Sequence, residues 1–463
     1  MAQRWMDGPR STPRVGSIIG AVGLAVVILA VACTAQDNQG GTSGSVSSPT
    51  IEQPVVLGDL PVAPRSQRVD ISLPSFSDPT NITNPLHPTG VVDSALLLGT
   101  VDGKAFRTEV TLLPETRFIE WNGQAVETLV SQYVAFLDGR IHEVAYDFYA
   151  QADDGSVWYF GEDVFNFRNG GIADTHGTWI AGKDGPPAMI MPASPRPGDT
   201  YRPENIPGFV FEEVTVESVG RQLAGPLGTI DGGLIVQELH MDGQYEDKTF
   251  APGYGEFYTA AGGDVEALAL AVPTDAASGP LPEELVTLST EALGIVDAAG
   301  AGRWGSASAG VAEMGRAWST LDGREVPRMI EPRMARDLGS LSTAVDARDA
   351  DRARQAAIDT ARWAFDLQLR HRPPQEIDAA RFDLWAAQLQ LDAEAGDGAA
   401  VSGDLFTLDY IRDRIQQVLG GAALTRVNTV MEELQGAVSD GDLMAAADAA
   451  GRLRETVRGA TGR

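Results

Sequence analysis

Few residues in this chain have a type and spacing that could carry chemistry. Three histidines, His142, His176 and His240, fall among abundant carboxylates within residues 76–275. Imidazoles on separate strands can assemble a metal site without leaving a local motif, but their spacing gives such a site no support, and no metal ligand set is assigned. The densest unusual stretch holds Tyr146, Tyr149, Trp158, Phe160, Glu162 and Asp163 around a turn at Asp154-Gly155. Two aromatic strands joined this way would stack rings across the pair, either as core or as the wall of an apolar pocket with Glu162 or Asp163 as its polar contact. Tyr146, Tyr149, Trp158, Phe160 and Glu162 are therefore the candidate ligand-pocket residues. Other constellations fail on context. Gly300, Gly302 and Gly305 match the letters of a dinucleotide fingerprint, yet no strand precedes them, so they read as an inter-helix loop. Asp153-Asp154-Gly155 lacks the alternating oxygen ligands of a calcium loop. No convergent catalytic set and no cofactor motif is legible, so the expectation is a protein without catalytic residues or a cofactor.

The one thiol, Cys33, is a different case. Arg4, Arg10 and Arg14 precede eighteen uncharged residues from Val15 to Ala32, the order of an export signal. Small residues at Ala30 and Ala32 followed by Cys33 read as a lipobox, in which the cysteine thiolate accepts a diacylglyceryl group before the peptidase cuts. Ala30 stands where most lipoboxes carry leucine. An uncleaved anchor is the competing reading, since the apolar run approaches the roughly 30 Å of the hydrocarbon core. Lipidation predicts a mature chain with no free thiol and no disulfide, held at the extracytoplasmic face of the cell membrane through Cys33. Residues 1–32 are then a signal peptide. Residues 33–75, rich in Gly, Ser, Gln and Pro, are expected to be a disordered tether with a reach of roughly 35 Å.

Net charge is −29, and Lys and Arg together number 35, of which three are lysine. The arginine bias, with abundant Ala and Gly, points to a high-GC bacterium of actinobacterial type. An anionic surface repels nucleic acid and argues against phosphate-bearing ligands in general. It also keeps an exported protein soluble.

Two textures follow the tether. Residues 76–275 alternate β-branched and aromatic segments with the turn pairs Asp102-Gly103, Asn122-Gly123, Asp138-Gly139, Asp154-Gly155, Asn169-Gly170 and Asp242-Gly243. Such pairs between alternating segments predict a run of antiparallel hairpins, one large curved sheet or half-barrel, with a β-sandwich as the alternative. Residues 283–463 turn to Ala, Leu, Asp and Arg at helical spacing. Helices are predicted to begin near Glu283, Arg303, Met329, Asp349, Glu376, Ala399, Gly421 and Asp442, forming about four hairpins. Shifting Leu338, Asp349 and Ala356 by two hairpin lengths superimposes them on Met431, Asp442 and Ala449. Asp349, Asp397 and Asp442 stand where an acid caps a helix. Arg381 shares a face with Ile377, Leu384 and Trp385, which predicts a buried ion pair with a nearby aspartate. The fold class expected is α+β, multi-domain, with an all-α second domain.

The segments Tyr149 to Gln151, Val157 to Asp163, Gly177 to Trp179, Met191 to Ala193, Gly198 to Arg202 and Phe250 to Gly253 resemble, in order and spacing, a group of uncharacterised secreted bacterial β-proteins. The resemblance covers roughly residues 130–260 and departs at Tyr254, where the relatives carry valine. It implies an antiparallel β-domain and no mechanism. The sequence thus leads to a lipid-anchored cell-envelope protein of binding or interaction type, partnered by the membrane and by a protein or small apolar ligand. A carrier of a lipid in the β-domain and a metal-dependent envelope hydrolase built on the histidines are the alternatives.

Overall fold

The computed structural model describes Gly58 and residues 60–462, residue 322 excepted. Cys33 and the signal segment lie outside the described residues. The β-region forms one antiparallel sheet of 14 strands: β1 Ser94–Val101, β2 Lys104–Trp121, β3 Gln124–Leu137, β4 Arg140–Gln151, β5 Val157–Arg168, β6 Gly171–Asp174, β7 Trp179–Ile180, β8 Ala188–Met191, β9 Thr200–Ile206, β10 Val210–Ala224, β11 Thr229–His240, β12 Tyr245–Ala251, β13 Gly255–Ala261 and β14 Asp264–Val272. The order is two meanders back to back. One runs from β1 to β6 and the other from β14 to β9, and they are joined where β1 pairs with β14. At Asp102-Gly103, Asn122-Gly123, Asp138-Gly139 and Asn169-Gly170 both turn residues have positive φ, the tight hairpin geometry whose twist matches that of the strands.

The helical region comprises α1 Glu283–Gly300, α2 Trp304–Thr320, α3 Glu331–Ala347, α4 Ala350–Gln368, α5 Pro374–Glu394, α6 Gly398–Ile415, α7 Gly421–Ser439 and α8 Leu443–Thr461. Asp349, Asp397 and Asp442 accept hydrogen bonds from the backbone N–H groups of Arg352, Ala400 and Ala445, as caps do. The repeat is a unit of four helices. In α1–α4 the first helix packs on the second and fourth and the third on the fourth, and α5–α8 repeats that pattern.

The helices cover one face of the sheet. Leu96 and Leu98 of β1 and Leu270 and Val272 of β14 share a core with α1, α3 and α4. Phe136, Ile141, Val144 and Phe167 share another with α5 to α8, where Phe136 stacks on Trp385 at 5.2 Å. Between these patches three arginines meet three acids, all buried except the half-buried Arg107. Arg107 on β2 forks onto Asp366 of α4 at 2.8 Å and reaches Glu109 at 2.8 Å. Arg381 of α5 binds Asp366 at 2.6 Å and Asp378 at 3.2 Å, which is the pairing its position predicts. Arg414 of α6 lies 3.3 Å from Asp378, 3.6 Å from Glu109 and 3.1 Å from the Thr111 hydroxyl.

Residues 60–75, which composition assigns to the tether, lie along the β9 edge. Val69 N–H donates to the Thr200 carbonyl at 2.9 Å, and Asp70 joins Arg68 at 2.6 Å to the Arg202 backbone at 3.1 Å. A few specific polar contacts order a stretch whose composition alone could not bury enough apolar surface.

Removing one cation from the neutral set leaves the buried network with one negative charge in excess, although each acid keeps a second arginine. Arg381→Met is therefore expected to lower the unfolding free energy by about 3–5 kcal/mol, read as a fall in the urea midpoint. A loss below about 1 kcal/mol, the scale of a surface pair, would show that the network does not hold the helices to the sheet.

Candidate functional site

Because side chains alternate along a strand, residues next to the helix-facing ones point to the opposite face. There the sheet curls until β2 to β4 look across at β9 to β12 around a cavity of about 140 Å³. Ala95 and Leu97 of β1, Val110 and Leu112 of β2, Val214 of β10 and Phe250 of β12 give it an apolar lining. His87, Pro88 and Thr89, from the segment before β1, also line it, with the His87 ring 4.7 Å from that of Tyr149.

The remaining wall is acidic. Asp147, Glu212, Glu238 and Glu266 line the cavity. They are almost wholly buried, as are the adjoining Glu162, Glu204 and Glu246. Against these seven carboxyls stand one buried lysine, Lys248, and the half-buried His240. Lys248 Nζ lies 3.0 Å from Glu238 and 3.5 Å from Glu246. His240 reaches Glu212 at 3.5 Å, Glu246 at 3.5 Å and Glu238 at 3.6 Å.

Two cations cannot neutralise seven acids, so several carboxyls hold protons. Burial pushes Asp147 up to about 8, against which the Tyr159 hydroxyl donating at 2.9 Å pulls back. Burial raises Glu266 to about 8 despite its hydrogen bond from Thr108. Glu238 also rises to about 8, through burial and then Glu212. Glu162 and Glu204 are pushed well above the carboxylate range by burial and by neighbouring acids. Burial works against the cations too. It is outweighed at His240, where Glu212, Glu246 and Glu238 lift the imidazole to about 11. It is likewise outweighed at Lys248, which the surrounding glutamates, Glu238 first, hold well above its ordinary value. His87 has no such company, and burial lowers it to about 4.

One group of donors has metal-ligand spacing. Single ligand atoms from Glu212, Glu238 and His240 all lie within 4.8 Å of one another. That separation suits a small ion bound at about 2.0–2.2 Å by each. The Tyr201 hydroxyl, on the same cavity wall and fully buried, has no hydrogen-bond partner among the described residues.

The residues singled out in the sequence are divided between two faces. Tyr149 lines the cavity, and Glu162 adjoins it beside Asp147 and Glu204. Tyr146 lies beneath the helices, 6.2 Å from the Tyr410 ring. Trp158 lies under residues 70–74, its indole N–H on Ser156 Oγ at 2.8 Å. Phe160 packs edge-on to Phe76 at 5.2 Å. Alternation explains the division: Tyr149 pairs directly with Tyr159, so Trp158 and Phe160 point the other way. A bulge then lets Glu162 face inward like Tyr159. It sits at Gly161, whose φ is 114° and where a Cβ would stand 2.1 Å from the Trp179 carbonyl oxygen. Of the three histidines, only His240 joins the cluster. His142 lies on the exposed side beside Phe106, and His176 packs against Phe209.

The other members of the site carry a faint sequence signal. Glu238 and His240 alternate on β11, as do Glu246, Lys248 and Phe250 on β12. That pattern reads equally well as a solvated strand face. No protein-family model and no curated protein matches the chain.

The raised acids bind more protons in the folded state than in the unfolded one. Their contribution to stability is full below about pH 4 and is lost as pH rises through about 8; that of His240 is lost higher, through about 11. His87 acts oppositely, contributing above its ordinary value and losing that contribution as pH falls through about 4. In chelator-treated protein the melting temperature should therefore fall from about pH 6 to about pH 9. Asp147→Asn and Glu266→Gln should make the fall shallower, and a melting temperature that rises over this range would refute the protonated interior.

Proposed function

We propose that this protein is a lipid-anchored component of the cell envelope that binds rather than transforms its ligand. The ligand is a compact cation taken into the acid-lined interior of the curved sheet. The observation that carries this reading is the imbalance of seven buried carboxyls against Lys248 and His240 around one cavity. Burying charge without compensation is costly, and a cation entering such a site replaces protons with a stronger partner. Glu212, Glu238 and His240 have the spacing to ligate a divalent ion. The anchor at Cys33 and the extracytoplasmic address rest on the lipobox sequence, and the actinobacterial origin rests on composition.

Size and polarity weigh against the carrier alternative. A cavity of about 140 Å³ falls short of the roughly 300–1,000 Å³ typical of small-molecule pockets. An acyl chain would require the sheet to open and would meet buried acids inside. A metal-dependent hydrolase is the second reading. It is favoured by the Glu212, Glu238 and His240 trio and by Asp147, which lines the same cavity and titrates near 8, in the range of a general acid or base.

Titration calorimetry of the purified protein with zinc, calcium and methylammonium tests the cation reading. Saturable binding of one cation per chain is expected. Glu238→Gln should weaken it by more than about 100-fold, beyond the usual effect of losing an outer-shell partner. No binding by any of the three would end the proposal, whereas metal-dependent turnover in an ester and amide hydrolysis screen would replace it with the hydrolase.

A further inference from the structure

A second cleft lies on the helix-facing side of the sheet, independent of the acid-lined interior. Where the β1–β2 and β3–β4 turns pass α3, α4 and α5, a cleft of about 690 Å³ opens at the junction of sheet and helices. Its charge is opposite to that of the chain. Lys104, Arg107, Arg140, Arg333, Arg336 and Arg362 line it against three acids, Asp138, Asp337 and Asp359, in a protein of net charge −29. Trp363 and Trp385 form buried walls, and each carries a guanidinium. Arg107 lies 5.7 Å from the Trp363 ring centroid and Arg362 lies 5.1 Å from that of Trp385.

These bases are not equally committed. Arg107 is held by Asp366 and Glu109, and Arg140 by Asp392. Arg362 has one long ion pair among the described residues, 3.4 Å to Asp359. Arg333 makes no ion pair among the described residues, and its Nη1 donates to the Met329 carbonyl at 2.7 Å. Burial, and then the cation beside each, Arg336 for Arg333 and Arg107 for Arg362, hold both guanidiniums below the ordinary arginine value. Crowded, partly desolvated guanidiniums with free donors are relieved by an oxyanion, which their planar forks bind in bidentate fashion.

We propose that this cleft binds a small oxyanion carrying two or more negative charges, of the phosphate or polycarboxylate class. Its volume lies within the range of roughly 300–1,000 Å³ for small-molecule sites. The acidic surface around it repels a nucleic acid or other extended polyanion. The charge argument against phosphate holds for the surface as a whole and fails here, because packing α3 to α5 on the sheet gathers six bases in one place.

Calorimetry of the full chain with inorganic pyrophosphate and with citrate tests the site. Saturable binding of at least one of them, weakening as salt rises, is expected, with Arg333→Gln and Arg362→Gln each reducing affinity by about tenfold or more. Arg316→Gln, on the exposed face of α2 and paired with Glu313, should leave affinity unchanged, as should Glu238→Gln in the other cavity. Arg333 supports no ion pair, so its variant should keep the wild-type unfolding midpoint and can decide the matter even if Arg362→Gln fails to fold. Absence of binding by both anions, or binding that survives Arg333→Gln undiminished, overturns the proposal.

Discussion

On β2, Arg107 and Glu109 face the helices while Thr108 between them faces the cavity, and this alternation separates two ways of burying charge. In the network buried beneath the helices the charges balance. Arg107, Arg381 and Arg414 answer Glu109, Asp366 and Asp378; burial alone would raise Glu109, but the positive charges of Arg381, Arg107 and Arg414, with a hydrogen bond from Arg107, hold it well below the carboxylate range. Toward the cavity they do not balance, and the acids are raised. The sheet thus has a balanced, closed network beneath the helices on one face and an unbalanced, open cluster of acids on the other.

The closed face supports the open one. Leucines of β1 and β14 and aromatics of β3 and β5 fix the curvature of the sheet by packing on two copies of a four-helix unit. With its back held, the sheet can keep like charges together at its front, where mutual repulsion would otherwise favour flattening. The segment before β1 completes the enclosure, placing a neutral His87 against Tyr149 rather than a further cation among the acids.

Much of this architecture was legible in local chemistry. The tightest hairpin turns need positive φ at both positions, which Asp-Gly and Asn-Gly pairs tolerate, and four of the six pairs form them. The periodicity and capping aspartates of residues 283–463 marked the helices within two residues of their observed starts. What escaped depends on contacts far apart in sequence. Nothing local says that the first strand pairs with the last, so nothing local says that Glu266 and Thr108, or Glu204 and Glu162, will meet. The aromatic stretch drew attention to Tyr149 and Glu162, but hairpin stacking alone could not show that Trp158 and Phe160 face away from them. The glutamates of β10 to β12 were hidden for a simpler reason: alternating charge on a strand ordinarily faces water, and only closure of the sheet buries it.

The central claim, that the interior of the sheet holds a compact cation, is tested most directly by a high-resolution crystal structure of the protein isolated without chelators from its native cell. The account predicts a cation, seen as an anomalous peak or as a small ammonium group, coordinated by Glu212, Glu238 and His240. An acyl chain in the cavity, or ordered water alone among protonated carboxyls, would contradict it.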